Sequence, residues 1–109
     1  MDLSNKKCIP CEAGGVDPFS EAQAEEYLKE VSGWVLDEKA QKIWKEFKFQ
    51  DFLEAIKFVN LVAGIAEGEG HHPDIHIYYN KVTLELSTHA IGGLSLNDFI
   101  LAAKIDEQN

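Results

Sequence analysis

All four histidines of this chain, His71, His72, His76 and His89, fall in the stretch EGHHPDIHIYYNKVTLELSTH, residues 69–89. An imidazole with an ordinary pKa of about 6.5 can give or take a proton at neutral pH. Several of them in one place would suit general acid–base catalysis, worth roughly 10² to 10⁴ in rate. Three imidazoles can also bind zinc with an open fourth position, although neighbouring side chains in extended backbone point apart. Spacing alone does not decide between these chemistries.

The elements around the histidines decide which can meet. Pro73 fixes its own φ and pushes His72 out of the helical region, so the His71–His72 pair belongs to a turn. His89 lies at the far end of a hairpin that begins just after that turn. The two ends of an antiparallel hairpin lie side by side, so His71, His72 and His89 are expected to converge. His76 is mid-strand and stays apart. Glu67, four residues before His71, either orients an imidazole or faces solvent. Asp98 either does the same for His89 or occupies the favourable first turn of the last helix.

Periodicity supplies the scaffold. Ser20 with Gln23 has capping-box spacing before EAQAEEYLKEV, a helix that Gly33 stops. WVLDEKAQKIWKEFKF reads as two strands about a turn near Asp37 to Ala40. In it Ile43, Lys45, Phe47 and Phe49 share one face, and Trp44, Glu46 and Lys48 the other. Phe52, Ile56, Val59, Ala63 and Ala66 mark a long amphipathic helix over about 51–67, ended by the glycines of EGEG. Leu53, Phe58, Val62 and Ile65 extend its apolar surface to a second face. Ile75, Ile77 and Tyr79 alternate with His76 and Tyr78, Asn80-Lys81 makes the turn, and Val82, Leu84 and Leu86 alternate back. Ser95 is the expected N-cap of a last helix, LNDFILAAKI. The prediction is an α+β fold of order α-β-β-α-β-β-α, a four-stranded antiparallel sheet with three helices on one face. Residues 1–19 read as a loosely ordered segment and 20–109 as a single domain.

Composition narrows the partners. The 10 basic residues are all lysine, against 19 acidic ones, for a net charge of −9. An arginine-free acidic protein is a poor match for nucleic acid or a heavily phosphorylated substrate. A neutral or cationic small molecule fits better. The sequence has no apolar run long enough for a membrane span, and MDLSNKK is not a signal peptide, so a cytoplasmic location is expected. The CIPC pair, Cys8 and Cys11, has redox or half-zinc spacing but lacks a second pair and a βαβ setting. The glycine pairs lack the surroundings of a nucleotide loop.

These residues together resemble the pterin-4a-carbinolamine dehydratases. The resemblance rests on Glu67, His71-His72-Pro73, Tyr79, His89 and Asp98, with Gly33-Trp34, FKFQDFLEAIKFVNLVAGIAE and YNKVTLELSTHAIGGLSLNDFILAAKI around them. It covers residues 20–106, and the KKCIPCE tail is similar to bacterial members. It implies dehydration of 4a-hydroxytetrahydropterin to quinonoid dihydropterin, recycling the cofactor of aromatic amino acid hydroxylases. No metal and no organic cofactor is implied, and a homodimer or homotetramer is. It implies His71 and His89 as acid–base residues, with His72 placing the substrate and aiding proton transfer. Glu67 and Asp98 would support them. Trp34 and Pro73 would border the pterin, and the backbone of Ser87, Thr88 and His89 would hold its flat edge. Two positions depart from the family: Ile91 stands where vertebrate members carry cysteine, and Gly70 where a polar residue is common. A binding or regulatory module on the same scaffold, and a zinc protein using Cys8, Cys11 and the histidines, are the readings from other classes.

Overall fold

The computed structural model describes residues 3–7 and 17–108; Cys8 and Cys11 lie outside them. Three helices and four strands follow in the order α1 (Glu21–Leu28), β1 (Val35–Leu36), β2 (Ile43–Lys48), α2 (Phe52–Glu69), β3 (Asp74–Tyr78), β4 (Lys81–Leu86), α3 (Leu96–Gln108). All pairings are antiparallel and the spatial order is β1-β2-β4-β3. This is the α+β architecture expected from the alternation of periods.

Local chemistry explains the ends of the elements. Ser20 accepts from the Gln23 N–H while the Gln23 side chain accepts from the Ser20 N–H, so α1 starts on a complete capping box. Asp51 caps α2 by accepting from the Glu54 N–H. In the first turn Asp37 accepts from the N–H groups of Gln41 and Lys42, folding residues 37–42 back on themselves.

The strand faces divide as the period-two pattern requires. Ile43, Phe47, Val82, Leu84 and Leu86 are buried beneath the helices, in one cluster with Ala24, Phe58, Val62, Phe99 and Ile105. Trp44, Glu46 and Lys48 face outward. Ile75 pairs with Leu84 and Ile77 with Val82 on the inner side of β3, yet Ile77 is exposed because β3 is an edge strand.

Two expectations need correction. The second hairpin turns at Tyr79-Asn80 rather than Asn80-Lys81, because Tyr78 pairs with Lys81. Tyr79 takes a positive φ of 52°, and Asn80 is held by a hydrogen bond to the Phe49 carbonyl. The face that α2 buries is Ala55, Phe58, Val62 and Ala66, whereas Phe52 and Ala63 are exposed. That helix is apolar nearly all round, so spacing alone fits more than one stripe. It also runs past Gly68 to Glu69 and stops at Gly70, in the left-handed conformation at φ 67°.

Within the segment read as loosely ordered, Leu3–Asn5 form a 3-10 turn packed on α3. Leu3 is buried and Lys104 donates to the Ser4 carbonyl at 2.8 Å. Among the described residues no helix is long and apolar enough to cross a membrane.

Candidate active site

The site grows from the C-terminus of α2. The His71 N–H donates to the Ala66 carbonyl across the left-handed Gly70, so the backbone of His71 is part of the helix cap. The same turn separates the side chains of His71 and His72. His71 goes inward, with a side chain 12% exposed, and its Nε2 lies 2.6 Å from Asp98 Oδ1. His72 stays at the surface, its Nε2 3.0 Å from Glu67 Oε1, with side chains 61% and 81% exposed.

The β3–β4 register pairs Asp74 with Glu85. Extended beyond the strand ends, it sets His71 opposite Thr88, and the side-chain contacts agree. Asp98, fully buried at the third position of α3, accepts from the Ser95 N–H at 3.0 Å and the Thr88 hydroxyl at 2.9 Å. Thr88 Oγ1 also lies 2.8 Å from Ser95 Oγ. Thus Asp98 supports His71 rather than His89, and it occupies the first helical turn as well.

His89 opens a short 3-10 turn, His89–Ile91, after β4. It is exposed, and none of the side-chain hydrogen bonds of the described residues links it to His71 or His72. It lines a cleft of about 270 Å³ with Ser87, Thr88, Asp37, Gln41, Lys42, Gly92 and Gly93. Gly93 is required there, since a Cβ would come within 2.8 Å of Pro18 Cβ. The two hairpin ends therefore meet through His71, Asp98 and Thr88, and His89 follows directly in the chain on the cleft side. Asp37, Gln41 and Lys42 are lining residues that sequence reasoning missed. Their only signal was the turn itself, whose distance from β4 depends on β2 lying between them.

Other expected residues stand apart. The Trp34 ring is buried against Phe47, and its Nε1–H donates to both oxygens of Asp106 at 3.1 Å. Asp106 is eight residues beyond Asp98 on α3, about 12 Å along the axis, so Trp34 does not join the His71 cluster within the chain. Pro73 is half-buried beside the histidine pair and Ser87 half-buried at the cleft. Thr88 has its polar groups committed inside the chain: its N–H donates to Gly93 and its carbonyl accepts from Ile91. His76 lies on the opposite sheet face beside Glu85, at 3.6 Å.

An imidazole locked to a buried carboxylate, with Thr88 of the same network lining a cleft that bears a second, exposed imidazole, offers groups that can give and take protons. A profile of the pterin 4 alpha carbinolamine dehydratases matches residues 17–108. The chain belongs to this family. It is an enzyme of the hydro-lyase class, a dehydratase acting on a pterin. It is 49% identical over 106 residues to a Halorhodospira halophila protein assigned by name to the pterin-4-alpha-carbinolamine dehydratases, covering 97% of this chain and 96% of that one. It is 48% identical to the mitochondrial pterin-4-alpha-carbinolamine dehydratase 2 of Arabidopsis thaliana, covering 97% of this chain and 58% of the other. The crystal structure of a transcriptional coactivator/pterin dehydratase from Brucella melitensis superposes with a TM-score of 0.78 at 32% identity, covering 84% of this chain and 97% of that one. The family profile thus spans the stretch that carries the histidines, and the Brucella melitensis chain has a similar fold.

Proposed function

We propose that this dehydratase converts 4a-hydroxytetrahydropterin to quinonoid dihydropterin and water through its histidines, without a metal or organic cofactor. The observation that carries the reading is the buried His71–Asp98 contact of 2.6 Å, joined through Thr88 to the cleft that His89 lines. In the reaction the C4a–O bond breaks, a proton joins the departing hydroxyl, and the N5 proton leaves as the C4a=N5 bond forms. One imidazole must deliver a proton while another accepts one. Asp98 engages Nε2 of His71, which leaves Nδ1 of that ring for the substrate. His89, exposed at the cleft, takes the complementary role. His72, steadied by Glu67, helps to place the pterin, with Pro73 and the backbone at Ser87 and His89 along its edge.

The physiological role that follows is recycling of the pterin cofactor of aromatic amino acid hydroxylases, in the cytoplasm. A homodimer or homotetramer is proposed with it. The apolar side chains exposed on α2 (Phe52, Leu53, Leu61) and at the β3 edge (Ile77, Tyr78, Tyr79) supply surface for self-association. Stopped-flow measurement on enzymatically generated 4a-hydroxytetrahydropterin tests the reading. Turnover is expected to persist in chelator and to fall at least about tenfold in His71→Ala and His89→Ala. Turnover no faster than buffer would end the proposal, and loss of activity on metal removal would replace it with a zinc mechanism.

A further inference from the structure

The hydrogen bonds around Asp98 can be assigned proton by proton. A carboxylate in a fully buried position with three neighbours is an acceptor for each of them. The Ser95 N–H can only donate, and it points to Oδ2 at 3.0 Å. The Thr88 hydroxyl has one proton and gives it to the same Oδ2 at 2.9 Å. The 2.8 Å contact between Thr88 Oγ1 and Ser95 Oγ must then be made by the serine proton. Two donors occupy Oδ2, and Oδ1 faces His71 Nε2 at 2.6 Å. The chain runs in one direction, from Ser95 to Thr88 to Asp98, with the carboxylate then accepting Nε2–H from His71.

Thr88 is 4% exposed and Ser95 5%. Neither hydroxyl has a proton to offer a substrate, and the Thr88 backbone is spent on the 88–93 loop. We propose that Thr88 is a positioning residue for the reaction, not a substrate contact: its side chain holds Asp98 in the rotamer that keeps His71 in the Nε2–H tautomer. This rests on the reading in which His71 exchanges a proton with the pterin. Without the Thr88 donor, Asp98 loses one of two bonds on Oδ2 and can swing, and the His71 proton is no longer confined to Nε2.

Two measurements test this on the full chain. Long-range proton–nitrogen NMR, at a pH where imidazoles are neutral, reads the His71 tautomer directly in the free protein. The wild type is expected to show Nε2–H, and Thr88→Val a mixture. In the dehydration assay Thr88→Val is expected to lose about tenfold in kcat with KM little changed, and Thr88→Ser to recover most of it. A wild-type His71 protonated on Nδ1 would overturn the proposal whatever the variants do. So would Thr88→Val with unchanged kcat, or Thr88→Ser as impaired as the valine. If Thr88→Val fails to fold, the wild-type spectrum and the serine variant still decide. A wild type that turns over no pterin but shows the expected tautomer would remove the dehydration mechanism while leaving the positioning geometry intact.

Discussion

Two histidine–carboxylate pairs leave the same turn and live in different solvents. His71 with Asp98 is buried, and the carboxylate has two further donors. His72 with Glu67 is open to water, and among the described residues no other hydrogen bond or ion pair fixes either side chain. In water such a pair gains about 0–1 kcal/mol and is screened by salt. Inside the protein, losing one partner leaves the others unsatisfied, at roughly 1–3 kcal/mol for each buried polar group. Neighbours in sequence, of the same types, are thus expected to do different work: one pair built for a defined proton position, the other for adjustable contact.

The largest expected effect is that of Asp98→Ala. It strands the His71, Thr88 and Ser95 donors, and should cost about 3 kcal/mol in urea unfolding and about 10²-fold or more in kcat. Next is His71→Gln, expected to lower kcat about 10²-fold while costing roughly 1 kcal/mol, read in the same two assays. His89→Ala separates chemistry from folding. Its ring is exposed, so stability should stay within about 0.5 kcal/mol of wild type while turnover falls at least about tenfold. The smallest effect belongs to Glu67→Gln: a change in rate of under about threefold, stability within about 0.5 kcal/mol, and a difference that shrinks as salt is added. A Glu67 variant as damaging as the Asp98 variant would reverse the comparison.

Much of the fold was legible because its signals are local. The capping box at Ser20 and Gln23, the period-two faces of β2 and β4, and the proline after the histidine pair act over a few residues each. The α2 stripe was not legible in the same way. Phe52, Ile56, Val59 and Ala63 satisfy helical spacing as well as Ala55, Phe58, Val62 and Ala66, and only packing on the sheet selects the second set. The turn slipped by one residue because Asn80 is the stronger turn former by type, whereas pairing of Tyr78 with Lys81 assigns the first turn position to Tyr79.

The site divides along the same line. Residue types and hairpin symmetry pointed to His71, His72 and His89; the structure gives the first two separate carboxylate partners, sets His89 at the cleft and leaves His76 across the sheet. Which acid serves which base was decided by tertiary structure alone. It depends on where the chain leaves the left-handed Gly70 cap and on α3 laying its first turn under Thr88. Direction after a helix cap and the approach of two elements distant in the chain are set by packing, and no spacing rule encodes them.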